Sequence, residues 1–292
     1  MGADAFESHR GVLFGVAYRM LGTRVDAEDV LQEAWIRWNR VDTAAVENPR
    51  AYLVRLVTNE SIDHLRRVKA RREEYVGPWL PEPIVGTSAE PRLNESASVG
   101  LLVVLETLAP EERAVFVLHE AFGFGHHEIA DLLGRTERAV RQLAYRARRH
   151  VRARRPRQRL DPREHRELTE RFIAAAVRGD VQSLLRTLAP DAVMRADSDG
   201  LRETPRVPVH GAAAIADWFR AAVPFLPRDL RVHVTPVNGG AGVLVCDGDA
   251  PFFAVALGCT ADEVVEIDLV VNPVKLPGSA RDVTRPGSVC LV

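Results

Sequence analysis

The chain has 292 residues, enough for two or three compact domains each burying its own core, and its 39 Lys+Arg against 40 Asp+Glu leave a formal net charge of −1. Its three cysteines, Cys246, Cys259 and Cys290, are far apart and form no Cys-x-x-Cys pair, which excludes a disulfide framework and a cysteine-built zinc site. No apolar run approaches the roughly 18 residues of a membrane span, and the N-terminus, with Asp4 and Glu7 and no apolar core, does not read as a signal peptide, so a cytoplasmic protein is expected.

In chain order, "GVLFGVAYRML" sets Leu13, Val16, Ala17 and Met20 on one helical face, and "DAEDVLQEAWIRW" repeats the pattern with Val30, Leu31, Ala34, Trp35 and Trp38 inward and Asp26 as the expected N-cap. A third helix opens at Asn48-Pro49, cap then first-turn proline, and buries Leu53, Leu56 and Val57. Its later turns place Asn59, Asp63, Arg66 and Arg67 on one stripe that runs on into Lys69, Arg71 and Arg72. Residues 1–76 therefore read as a small all-α domain.

The stretch 77–98, "GPWLPEPIVGTSAEPRLNESAS", has four prolines and no periodicity, and reads as a linker. Helical signals resume over 99–158. There "HHEIADLLG" and "TERAVRQLAYRARRH" have a helix-turn-helix layout, with Ile129, Ala130 and Leu133 as the core stripe of the first helix, Gly134 as its left-handed cap and Thr136 capping the second. In the second helix Val140, Leu143, Ala144, Ala147 and Val151 share the inner face, leaving Arg138, Arg141, Gln142, Tyr145, Arg146 and Arg149 outside. From Gly134 to Arg159 there are eleven Arg and one acid, Glu137, whereas Thr187 to Val292 carries nine basic and thirteen acidic residues. A helix that merely faces solvent mixes charge signs for i,i+4 pairing. A face of arginine is better explained by phosphate, with Arg141 and Gln142 placed to read base edges in the major groove.

Residues 163–278 begin with two helices broken at Gly179-Asp180, continue into a strand from Val193, and end in several strand-like runs: alternating Leu230, Val232 and Val234, then "GVLVCDG", "PFFAVALG" and "EVVEIDLVVN". Helices followed by antiparallel strands predict an α+β domain with one curved sheet, and 279–292 reads as a tail.

The segments "AYRMLGTRVDAEDVLQEAWIRW", "NPRAYLVRLVTNESIDHLRRVKARRE" and "LAPEERAVFVLHEAFGFGHHEIADLLGRTERAVRQLAYRARR" closely resemble regions two and four of extracytoplasmic-function (ECF) sigma factors over residues 6–155. The resemblance implies that Asp26, Glu28, Asp29, Gln32 and Glu33 dock on the β′ clamp helices of core RNA polymerase, with a further contact to the β flap. It also implies that Asn59, Asp63, Arg66, Arg67, Arg71 and Arg72 recognise the minus-ten promoter element and that Arg138, Arg141, Gln142, Tyr145, Arg146 and Arg149 read the minus-thirty-five element. Chemically this fits, since an amide such as Asn59 can hydrogen-bond an unstacked base while arginine holds the strand.

"WLPEP" (Trp79, Leu80, Pro81, Glu82, Pro83), "VNGGAG" with Gly239 and Gly240, and "NPVKL" (Asn272, Pro273, Lys275, Leu276) resemble signature segments of the ECF subgroup with a fused SnoaL-like, or NTF2-like, domain. The Gly-rich segment departs from the subgroup pattern by lacking its Asp and its Lys, and Val274 stands where the pattern has Asp. The implied fold is multidomain: all-α region two and region four helix-turn-helix domains followed by an α+β NTF2-like curved sheet. The implied control is in cis, through an interface among these segments, with no membrane and no anti-sigma factor required.

Two alternatives compete: a helix-turn-helix activator, which leaves the Asp26 to Arg72 block without purpose, and a small-ligand or isomerase-like domain fused to a DNA-binding module. For the latter, Asp191, Asp197, Asp199, His210 and Asp217 are the available polar groups, and nothing in the sequence brings two of them together. No catalytic residue, metal or cofactor is assigned; His126 and His127, adjacent on a helix, point to different faces and make a poor metal pair.

Overall fold

The computed structural model describes residues 2–72, 75–86, 98–154, 161–279 and 290–291; linker residues 87–97, the basic end 155–160 and tail residues 280–289 lie outside the described residues. The chain forms two compact units, 1–74 with 101–155, and 75–100 with 156–292. The first part of the linker thus belongs to the same unit as the C-terminal part of the chain.

In the first unit, α1 (Gly2–Leu21), α2 (Arg24–Trp38) and α3 (Pro49–Arg72) bury the apolar stripes set out above: Leu13, Val16, Ala17, Met20, Val30, Leu31, Ala34, Trp38, Leu53 and Val57 are all shielded from solvent. The cap of α2 is Thr23, not Asp26. Thr23 has extended backbone and its Oγ1 accepts the Asp26 N–H at 3.1 Å, while the Asp26 carboxylate accepts the Thr23 hydroxyl at 2.5 Å. Asp26 is therefore the third-position partner of a capping pair, and the helix starts three residues earlier because Gly22, at φ 81°, ends α1. Asn48 caps α3 as expected, accepting from Ala51 N–H at 3.0 Å.

The helices α4 (Val99–Glu106), α5 (Pro110–Phe116, continued by a π turn over Val117–Ala121), α6 (His126–Leu133) and α7 (Glu137–Arg154) complete this unit. Gly134 closes α6 in the left-handed region at φ 61°, and Thr136 Oγ1 accepts from Ala139 N–H at 3.3 Å to open α7. The core position of α6 is Leu132 rather than Leu133, which is half-buried. Arg113 ties α5 to α1 from inside the core: fully buried, it donates through Nε to the Arg19 carbonyl at 3.0 Å and pairs with Glu106 at 2.5 Å. Burial lowers its pKa to about 9. At the surface, Arg50 on α3 lies over the Phe124 ring at 5.4 Å, a cation–π contact.

The second unit places α8 (Pro162–Arg178), α9 (Val181–Thr187) and α10 (Ala212–Ala222) with a sheet of seven strands among the described residues. These are β1 (Leu188–Asp197), β2 (Val209–His210), β3 (Leu230–Val237), β4 (Gly240–Asp247), β5 (Ala250–Cys259), β6 (Val264–Val270) and β7 (Cys290–Leu291), in the order β2-β1-β6-β5-β4-β3-β7. The sheet is mixed, because β1 runs parallel to β6, whereas alternation alone suggested antiparallel pairing. Strand β1 also begins at Leu188, ahead of the expected Val193, with Leu188 and Ala189 already buried. Phe172 and Ile173 of α8 and Ile215 and Phe219 of α10 pack on Val243, Val245, Val255 and Ile267 of the sheet. The hairpin from β3 to β4 turns on Asn238 and Gly239, at φ 52° and 77°, the positive-φ pair that a two-residue hairpin turn requires.

Candidate nucleic-acid interface and linker contacts

On α7 the apolar and cationic faces separate cleanly. Val140, Ala144, Ala147 and Val151 are buried and Leu143 is half-buried, while Arg138, Arg141, Gln142, Tyr145, Arg146 and Arg149 are all exposed. Tyr145 is 66% exposed, unusual for a large ring with no apolar cover. Glu137, Arg138, Arg141, Gln142, Tyr145 and Arg146 line one shallow depression along the helix. Two of these arginines hold carboxylates: Arg141 pairs with Glu137 at 2.5 Å and Arg146 with Glu112 at 2.7 Å. Arg148 is drawn off this face to Glu120, at 2.8 Å.

The α3 stripe is exposed at Asp63, Arg66 and Arg67 and half-buried at Asn59. Arg66 donates to Asp63 at 3.0 Å and to Glu111 of α5 at 2.6 Å. Although burial raises the Glu111 carboxyl, the Arg66 hydrogen bond and charge bring it below its ordinary value. Adjacent glutamates in the first turn of α5 therefore hold one arginine from α3 and one from α7. Arg71 and Arg72 fall on the last turn of α3, and their side chains lie outside the described residues.

Of the expected acidic face of α2, Asp26 is occupied by its capping role and by His64 Nε2 at 3.1 Å, and Glu28 is paired with Arg10 at 2.5 Å. Asp29, Gln32 and Glu33 are exposed, and their spacing puts them on one side of the helix.

Within the second unit the linker meets the Asn272 segment around one aspartate, Asp197, and meets the hairpin turn further along at Asn238. Asp197, buried at the end of β1, accepts the backbone N–H of Leu80 at 2.7 Å and Lys275 Nζ at 2.7 Å, and accepts the Tyr75 hydroxyl on its other oxygen. Lys275 also donates to the Leu80 carbonyl at 2.7 Å and lies over the Trp79 ring at 4.2 Å. Asn272 caps the short turn Pro273–Lys275 with its carbonyl oxygen and donates to Tyr75 Oη at 3.0 Å; Leu276 is half-buried after that turn. Burial, with the hydrogen bond to Asp197, pushes the Tyr75 phenol well above its ordinary pKa. Further along, Pro81 and Pro83 are buried and Glu82 half-buried; the Ile84 N–H donates to Asn238 Oδ1 at 3.0 Å and the Asn238 N–H donates to the Ile84 carbonyl at 2.8 Å. Val85 then bridges to Val237, so Gly239 and Gly240 serve this site by shaping the turn that presents Asn238.

Tyr75, Asp197 and Asn238 are the members of this cluster that sequence reasoning missed. By sequence, Asp197 stands only among the polar groups available to a general base. The one signal for the arrangement is Lys275, one of two lysines in a chain that otherwise uses arginine for its cations. Asp191, Asp199, His210 and Asp217 are all exposed, and with Asp197 in the linker contact none of the five lines the large cavity of this unit. Among the described residues no group of three or more His, Cys, Asp or Glu is arranged to hold a metal, and no helix is long and apolar enough to cross a membrane.

Family models for Sigma-70 region 2, Sigma-70 region 4 and a SnoaL-like domain match residues 5–72, 99–151 and 169–278. The ECF RNA polymerase sigma factor SigJ of Mycobacterium tuberculosis is 42% identical over 230 residues, 76% of this chain and 73% of that protein. The probable ECF RNA polymerase sigma factor SigI of the same organism is 31% identical over 92% of each chain. The crystal structure of M. tuberculosis SigJ superposes with a TM-score of 0.76 at 33% identity, covering 95% of this chain and 99% of that one.

Proposed function

Because this chain belongs to the ECF RNA polymerase sigma factors, we propose that its helical unit divides promoter recognition between α3 and α7 while α2 docks on the polymerase. The protein is a transcription initiation factor, not an enzyme, and its partners are core RNA polymerase and promoter DNA. In this reading Asn59 hydrogen-bonds an extruded minus-ten base while Arg66 and Arg67 hold the strand. Arg141 and Gln142 read minus-thirty-five base edges, and Arg138, Arg146 and Arg149 grip the backbone around them. Asp29, Gln32 and Glu33 supply the contact to the β′ clamp helices, and the region-four helices meet the β flap.

The observation that carries the reading is the face of α7, where the five exposed positions around Gln142, namely 138, 141, 145, 146 and 149, are all arginine or tyrosine and the opposite face is packed inward. Run-off transcription with purified core enzyme tests it: the protein should direct defined transcripts from a subset of genomic promoter fragments, and an Arg141→Ala variant should lose them. Failure of the wild type to join core polymerase would overturn it.

Control in cis is the second part of the proposal, supported by the tether of 75–86 to Asp197, Lys275 and Asn238. The linker that separates the two promoter-reading blocks is held by the SnoaL-like domain, which therefore limits its reach without an anti-sigma partner. Releasing it with Lys275→Met in the full chain should change promoter-dependent transcript yield at fixed polymerase concentration; an unchanged yield would sink this part alone.

A further inference from the structure

The second unit encloses a cavity of about 970 Å³ between α8, α10 and the sheet. That size is in the range of a small-molecule site. Four aromatic rings line it: Trp218 and Phe219 contact edge to face at 5.1 Å, and the neighbouring Phe252 and Phe253 rings are tilted against each other at 5.9 Å. Its rim is apolar where a closed core would not be, for Val76, Leu201 and Phe225 line it and are 40%, 60% and 71% exposed. A patch of this kind beside a deep opening is what an apolar occupant covers.

Of the polar groups on the lining, one is set against the aromatic wall. Arg202 lies over the Phe252 ring, its Cζ 3.9 Å from the ring centre, and donates through Nη1 to the Phe252 carbonyl at 3.3 Å. Among the described residues no carboxylate lies within ion-pairing distance of it, and burial lowers its pKa. An arginine has five N–H donors, so most of this guanidinium's capacity is unspent at the cavity wall. Glu203 and Arg206, also on the rim, offset each other in charge. The linker takes part as well: Gly200, at φ 71°, faces Val76 so closely that a Cβ there would lie 3.2 Å from Val76 Cγ1.

We infer that this cavity is a binding site for an apolar organic monoanion, its body held among Trp218, Phe219, Phe252 and Phe253 and its charge met by Arg202. The site needs no catalytic group and is independent of promoter recognition.

The probes are 1-anilinonaphthalene-8-sulfonate and its uncharged counterpart N-phenyl-1-naphthylamine, titrated into the full-length protein with fluorescence and calorimetric readout. The folded protein should bind the sulfonate at one saturable site, about tenfold more tightly than the neutral probe, as a charge-assisted hydrogen bond predicts. Arg202→Gln should abolish that preference while leaving the neutral probe's affinity unchanged, and Ala222→Trp, which fills the cavity, should abolish binding of both without lowering the thermal midpoint. If Ala222→Trp does not fold, the Arg202→Gln comparison decides alone. Absence of saturable binding, equal affinity for the two probes, or a preference that survives Arg202→Gln would overturn the inference.

Discussion

Lys275 and Asp197, 78 residues apart in sequence, meet at 2.7 Å with almost no exposure of either side chain, and between them they hold the backbone of Leu80, its N–H donating to Asp197 and its carbonyl accepting from Lys275. A buried charge pair of this kind is worth little against an apolar replacement of both partners but much against loss of one. Lys275→Met should therefore destabilise the second unit by about 3 kcal/mol or more, and the double variant Lys275→Met/Asp197→Asn should recover part of that loss. Urea unfolding of the two variants checks it; equal loss in both would show that the pair is not the relevant unit.

Tyr75 makes the same cluster sensitive to alkali. Its phenol is raised from the ordinary value of 10.0 by burial first and by Asp197 second, so the folded state favours the protonated form. The stability this gives is present in full below pH 10 and is lost as pH rises beyond it. Wild type should lose denaturant resistance above that point, with phenolate absorbance of one tyrosine appearing only on unfolding. Tyr75→Phe should show a shallower dependence over the same window.

Under the proposed promoter reading, the pairs Arg66 with Glu111 and Arg146 with Glu112 would compete with DNA for the same cations. Both arginines are more than half exposed, so each pair contributes at most about 1 kcal/mol. Replacing both glutamates by glutamine should tighten binding to promoter duplex by roughly three- to tenfold at low salt. Fluorescence anisotropy at several salt concentrations reads this directly, and the gain should shrink as salt rises.

Arg141 and Arg149 lie two turns apart on one face of α7, and they should fail differently. Arg141→Ala should cost about 1–3 kcal/mol and relax preference at one promoter position, whereas Arg149→Ala should weaken all sequences alike and reduce the salt slope by about one. Binding to a panel of single-base promoter variants separates the two.

The helical half was legible because its physics is local. Apolar spacing located α1 to α3, and Gly134 with Thr136 located the turn between α6 and α7, since a left-handed cap and a hydroxyl cap act within four residues. The difference at Asp26 is also local: with Thr23 three residues upstream and Gly22 before it, the sequence holds both halves of a capping pair, and either half alone reads as a cap. The linker cluster was less legible. Its segments stand out as motifs, but Asp197 joins them only because β1 carries it to the end of the sheet where 75–86 crosses, a relation with no sequence period. "NG" at 238–239 is a strong hairpin signal between apolar runs, and turn chemistry would have found the bend though not its partner Ile84. The parallel pairing of β1 with β6 was hidden for the same reason, since alternation fixes the face of a strand and not its neighbour.

Strand β3 has its outer edge covered by two pieces of its own chain: β7 pairs with it at Val232 and His233, and linker residue Val85 bridges to it at Val237. Open edges recruit strands from other molecules. A protein shortened after Ser279, or one whose linker has been pulled away, would expose unpaired amides and carbonyls along β3, so the linker residues held at this edge also guard it against pairing with a second molecule.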